Sequence, residues 1–140
     1  VGRNPSAQVR ALCGTAGVVV TGAVDDVRPW LAASDVVVPP LRIARGIQNK
    51  VLEAMAMGRP VVASAQAAEG IDAQDGRDLL VAGEPEAEAG LVLDLLADPA
   101  RAQVIGAAAR ARVEQRYSWR AAMAPVEGLL PGSETPARAA

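Results

Sequence analysis

The chain has no histidine and no phenylalanine, and a single cysteine, a single lysine and three aromatic rings stand among its 140 residues. Without histidine no imidazole base can come from these residues, and without a Cys/His cluster no transition-metal site is expected. Cys13 alone cannot close an internal disulfide, and neither a signal peptide nor a long apolar run is present in the residues shown. A reducing cytoplasm is the expected compartment. A net charge of −2 with one Tyr and two Trp offers neither a basic field nor a stacking platform for nucleic acid. Nucleic acid is therefore not an expected partner.

What is present fits one domain or a piece of one. The chain begins with Val rather than Met, and Val1-Gly2-Arg3-Asn4-Pro5 reads as a strand end running into a turn. An upstream portion is expected. Pro5 to Ala16 has helical spacing through Val9 and Leu12, and Gly17 to Gly22 reads as a short buried strand. Asp25 and Asp26 are N-cap candidates for a helix whose first turn takes Pro29. Asp35 to Pro40 is a second apolar strand, Arg59 to Ser64 a third and Asp78 to Ala82 a fourth, with a polar loop from Ala65 to Gly76. Helices are expected over Pro85 to Ala97, Asp98 to Arg116 and Ser118 to Leu130, with residues 1–130 as the domain and 131–140 as a frayed tail.

Strands that do not alternate are covered on both faces, and their alternation with helices predicts an α/β class with a parallel, doubly wound sheet. Ligands in that architecture sit beyond the carboxyl ends of the strands. Pro39 to Gly46 is such an end, and it feeds a helix running from Gly46 to the C-cap glycine Gly58. Ile47, Val51, Ala54 and Met55 form its apolar stripe, while Asn49, Lys50 and Glu53 share one side of the wheel. Glu53 is hemmed by apolar neighbours and so needs a partner, for which Lys50 at i, i+3 is one candidate.

The N–H groups of Gly46, Ile47 and Gln48 are expected to face a phosphate, with Glu53 roughly 9 to 10 Å further along the helix to take ribose hydroxyls. That spacing suits a nucleoside diphosphate. A βαβ crossover with no ligand is the alternative. Lys50 stands beside thirteen arginines, so a compact ammonium is a candidate requirement at that place, against an exposed lysine paired with Glu53. A nicotinamide oxidoreductase is disfavoured because no Gly-x-Gly-x-x-Gly follows a strand.

Pro40-Leu41-Arg42-Ile43-Ala44-Arg45-Gly46-Ile47-Gln48-Asn49-Lys50-Val51-Leu52-Glu53-Ala54-Met55-Ala56-Met57-Gly58-Arg59-Pro60-Val61-Val62 resembles the donor-binding segment of family 4 retaining glycosyltransferases of the two-Rossmann-domain type. Its wording is similar to the sugar transferases that accompany exosortase (PEP-CTERM) exopolysaccharide systems. Val20 to Asp26, Ala33 to Pro39 and Tyr117-Ser118-Trp119 match the family's order of motifs.

The resemblance implies the C-terminal, Rossmann-like donor domain of a two-domain enzyme, lacking its first strand and helix and most of its second strand, with the missing first strand between those at Val18 and Val36. It implies metal-independent transfer, with retention, of a sugar from a nucleoside diphosphate sugar, which is substrate rather than cofactor. The acceptor, lipid-linked or glycan, would meet a missing N-terminal domain, in the cytoplasm or peripherally at the inner membrane face. Relatives carry paired glutamates, the first on donor sugar hydroxyls and the second on the ribose; Glu53 takes the second place, and Arg45 stands eight residues earlier where the first is expected. Arg45, Gln48 and Asn49 are then candidates for a changed sugar or diphosphate contact set, Lys50 for the diphosphate, and Val24 for reading the base through its backbone. A nucleotide-binding or scaffold module without turnover is the competing reading.

Overall fold

A computed structural model describes residues 2–127, which divide into two compact units at Ser34/Asp35. The last residues of the helix expected to reach Leu130, and the tail at 131–140, lie outside the described residues.

In the first unit, Ser6 caps helix α1 (Ala7–Ala11), its hydroxyl accepting the Val9 N–H at 3.3 Å, and a 3₁₀ turn at Leu12–Gly14 follows. The expected buried strand at Gly17 to Gly22 joins no sheet among the described residues, and its two ends are left-handed, Gly17 at φ +80° and Gly22 at φ +71°. A β ladder exists only with a neighbouring strand to hold its N–H and C=O groups, and here Val19 remains 75% exposed. Helix α2 (Arg28–Ala32) has Val27 at its N-cap, with no side-chain cap bond, rather than Asp25 or Asp26. Pro29 occupies the first turn, and the Asp26 carboxylate accepts the Arg28 N–H at 2.9 Å while pairing with the Arg28 guanidinium. Those hydrogen bonds hold the Asp26 carboxyl below its ordinary range and raise Arg28.

The second unit is mixed α/β around a small parallel sheet. Strand β1 (Val62–Ser64) pairs with β2 (Leu80–Ala82) in the register Val62 to Leu80, Ala63 to Val81 and Ser64 to Ala82. On the other edge of β1 the expected strand at Asp35 to Pro40 contributes one parallel bridge, with the Val37 N–H donating to Pro60 O at 2.9 Å and the Val62 N–H donating to Val37 O at 3.0 Å. Val62 and Leu80 meet Leu95 of α5 (Pro85–Ala97) and Ile105 of α6 (Pro99–Arg116) in a buried cluster, with Val36, Leu91, Val92 and Ala102 around it. Pro85 and Pro99 sit in first turns, where a missing N–H costs nothing, and Asp98 caps α6 by accepting the Arg101 N–H at 3.0 Å.

Helix α3 (Asn49–Ala56) buries Val51, Ala54 and Met55 and packs against α6. Its end is a Schellman turn: Gly58 has φ +66°, its N–H reaches Met55 O at 2.9 Å, and the Arg59 N–H reaches Ala54 O at 3.1 Å. Gly106 of α6 lies directly on this turn, where a Cβ would run into the Gly58 carbonyl. The two helices therefore approach backbone to backbone. Residues expected as loop after β1 hold one helical turn, α4 (Ala65–Ala68), because Ser64 accepts the Ala67 N–H at 3.2 Å and an Ala-rich tetrapeptide follows. Helix α7 (Trp119–Glu127) is capped by Ser118, which accepts the Ala121 N–H at 3.2 Å.

Candidate functional site

Parallel strands present all their carboxyl ends on one edge, and the turns leaving that edge are where side chains can gather around a ligand. Pro39 to Gln48 leaves it after the Val37 bridge, and is tied down by the hydroxyl of Ser64, which donates to Leu41 O at 2.6 Å at the end of β1. Ser64 thus fixes the loop with its O–H and caps α4 with its lone pair. Pro40, Leu41, Arg42, Ser64, Gln66, Gly83, Pro85 and Glu88 line a cleft of ≈ 120 Å³ on this edge. A larger recess of ≈ 580 Å³ lies at the opposite end of the strands, beside Asp35, Gly58 and Pro60, and none of the expected site residues lines it.

Gly46 has φ +66°, so the turn into α3 uses a left-handed residue, and Gln48 is still extended with φ −91° and ψ 99°. The helix therefore begins at Asn49, three residues later than its sequence pattern implies. Gln48 folds back, its side-chain amide donating to Arg45 O at 3.2 Å and Gly46 O at 3.1 Å, which fixes the turn. The helix-end donors are then the Asn49 and Lys50 N–H groups. No backbone acceptor among the described residues takes them, and the Val51 N–H already bonds Gln48 O at 2.9 Å. Ile47, expected in the buried stripe, lies before the helix and is 53% exposed; Ile43 in the loop is 85% exposed.

Asn49, Lys50 and Glu53 are all exposed, one turn or less apart on α3. The expectation that Glu53 is hemmed in is corrected. Ala54 and Met55 turn their side chains to the buried side at 100° per residue, and the carboxylate points out. Lys50 and Glu53 form no ion pair among the described residues, so each remains available to a ligand. Four residues of helical rise put Glu53 about 6 Å beyond Asn49. Arg42 and Arg45 are exposed in the preceding loop, and no carboxylate occurs between Asp35 and Glu53. Three cations and a helix N-terminus thus share a stretch with no carboxylate of its own, while Glu88 stands on the cleft that Arg42 lines. Val24 belongs to the first unit, where it is half-buried two residues before Asp26. Among the described residues no three His, Cys, Asp or Glu side chains converge to hold a metal.

Sequence reasoning passed over two supports of this loop, Ser64 and Gly70. A Cβ added at Gly70 would stand at ordinary contact distance, 3.7 Å, from the Gly46 carbonyl, so the turn after α4 runs close beside the turn before α3. The signal for Ser64 was present in its position between a β-branched strand and an alanine run. Gly70 carries none, because the contact is long-range.

Two comparisons bear on this geometry. The family model described as Glycosyl transferases group 1 matches residues 1–98. The GDP-mannose-dependent monoacylated alpha-(1-6)-phosphatidylinositol monomannoside mannosyltransferase of Corynebacterium glutamicum is 34% identical over 96 residues, covering 64% of this chain and 25% of that protein. The chain thus spans about a quarter of the length of that relative.

Proposed function

The chain belongs to the group 1 glycosyl transferases, and we propose that it forms the donor side of a transfer from a nucleoside diphosphate sugar to an acceptor hydroxyl. The observation that carries this reading is the stretch from Arg42 to Glu53. It sets three exposed cations and two unpaired helix N–H groups on the carboxyl edge of a parallel sheet, with an exposed carboxylate one turn further on. A diphosphate is the ligand such a field favours, and a carboxylate beyond it accepts from two vicinal ribose hydroxyls. The small sheet is then part of a Rossmann-like doubly wound sheet.

As the bond from anomeric carbon to diphosphate breaks, negative charge grows on the leaving oxygens. Donors already aimed at that position lower the barrier without reorganising. The Asn49 and Lys50 N–H groups, the Lys50 ammonium and the Arg45 guanidinium serve that purpose, with retention at the anomeric carbon. A guanidinium accepts no hydrogen bond from a sugar hydroxyl but holds a carboxylate or phosphate with two. Arg45 therefore reads an acidic group on the donor sugar, or clamps the diphosphate while Gln48 or Asn49 takes the hydroxyls. The acceptor is a lipid-linked or glycan hydroxyl of exopolysaccharide synthesis, met on the cytoplasmic side of the membrane.

Turnover by the full-length protein tests this, using neutral and acidic nucleotide sugars with lipid and glycan acceptors and following product anomeric configuration by NMR. GDP-mannose belongs in the panel because the corynebacterial relative depends on it. A preference for acidic donors that Arg45→Ala and Arg45→Glu both abolish supports the sugar contact, and a uniform loss across donors supports the diphosphate clamp. Retained nucleotide binding with no transfer to any acceptor identifies a module that has lost turnover, a reading that Arg45 in the place of a glutamate favours. Unchanged activity and selectivity in Arg45→Ala removes Arg45 from the site.

A further inference from the structure

Gly46 makes its left-handed turn beside Gly70, with room for no more than a methyl group between them. What holds Gly70 is found two residues on. Asp72 is gripped from the far end of α6: the Arg112 Nε donates to Asp72 O at 2.7 Å, the remaining guanidinium and Arg116 bond the two carboxylate oxygens, and the Tyr117 hydroxyl accepts the Asp72 N–H at 2.6 Å. Every hydrogen-bonding group of Asp72 is thereby committed. Arg112 also faces Asp78 at 3.8 Å, whose side chain is 3% exposed and accepts the Gln74 N–H at 2.9 Å. Arg77 flanks Asp78 at 3.6 Å, so the segment from Asp72 to Asp78 is fastened at both ends.

A salt-bridge group placed only to stabilise α6 has no reason to bind the backbone on both sides of one loop residue. Here the N–H and the C=O of Asp72 are each taken by a side chain from α6 or its C-cap. That fixes the path of the chain, not merely its charge. α6 also lies on the C-terminal turn of α3 through Gly106 and Gly58, so one helix reaches the chain near both ends of α3.

We propose that Arg112 and Tyr117 are positioning residues for the donor. Through Asp72 and Gly70 they hold the Gly46 turn so that the Asn49 and Lys50 N–H groups and Glu53 keep the spacing a nucleoside diphosphate requires. Neither side chain is placed to touch the donor. The proposal rests on reading the start of α3 as the donor site, and a readout without a donor separates the two.

The test compares full-length wild type with Tyr117→Phe, which deletes only the hydroxyl that accepts the Asp72 N–H, and with Arg112→Lys, which keeps the charge but loses the fork. Ile105→Val, a core change on the same helix, is the control for general destabilisation. Amide hydrogen exchange in residues 44–50 is expected to quicken in Tyr117→Phe and Arg112→Lys but not in the control. The KM for the nucleotide sugar is expected to rise roughly three- to tenfold, the worth of one hydrogen bond, with kcat within about twofold. Exchange at 44–50 that stays at the wild-type rate, or that moves equally in the control, overturns the proposal. So does faster exchange with an unchanged KM. If wild type turns over no nucleotide sugar, the donor reading fails, and exchange at 44–50 still decides whether α6 holds the turn.

Discussion

Lys50 and Glu53 stand one turn apart on the exposed side of α3 and do not pair, which gives each a separable signature. Removing the Lys50 ammonium leaves no buried partner behind, so Lys50→Ala should change stability by less than about 1 kcal/mol. If the ammonium stabilises the leaving diphosphate, kcat should fall by at least about tenfold, since an interaction that strengthens in the transition state acts on rate. Denaturant midpoint and kcat measured on one preparation check this, and retained turnover at normal stability removes Lys50 from the chemistry. The polarity of this helix side was legible from wheel positions alone, whereas the setting of Glu53 was not. Apolar neighbours in sequence look like a cage around a carboxylate, but at 100° per residue Ala54 and Met55 point away from it.

At the scale of elements, the tightest constraint is the contact of α6 with the turn that ends α3. Gly106→Ala puts a methyl group onto the Gly58 carbonyl, which is backbone and cannot swing aside, so the helices must part. A loss of roughly 1–3 kcal/mol is expected despite the better helix propensity of alanine, and a urea titration against wild type measures it. An unchanged or raised midpoint would contradict the close approach. Boundaries set by local chemistry were readable in the sequence: the helix starts at Pro85, Asp98 and Ser118, and Gly58 as the C-cap. Those set by partners were not. The run at Gly17 to Gly22 forms no ladder among the described residues, with the Gly2 N–H donating to Gly22 O at 2.9 Å, and α3 starts at Asn49 because Gly46 turns left-handed and Gln48 bonds back to it.

For the molecule as a whole, acid stability should report the grip on Asp72. Partial desolvation raises its pKa most, yet the hydrogen bond from Arg116 and the charges of Arg112 and Arg116 together hold the carboxyl below its ordinary value of 3.8. A depressed folded pKa means that the unfolded chain binds the proton first. The stabilisation is therefore complete above about 3.8 and is lost as pH falls through the lower folded value. Urea midpoints of wild type and Asp72→Asn should differ at pH 6 and converge toward pH 2.5; a constant gap would mean that the charge of Asp72 is not what matters. The α/β class followed from the order of apolar runs, while a grip joining residue 72 to residues 112 and 117 had no local signature in the sequence. The central claim is that the start of α3 holds a nucleoside diphosphate with Glu53 on its ribose. Calorimetric titration of the full-length protein with UDP, GDP and ADP, in wild type and in Glu53→Ala, tests it most directly. Binding of at least one nucleotide, weakened about tenfold or more in the variant with its unfolding midpoint unchanged, is the predicted result, in line with the worth of a hydrogen bond to a charged group; equal affinity in the two proteins, with folding intact, would contradict it.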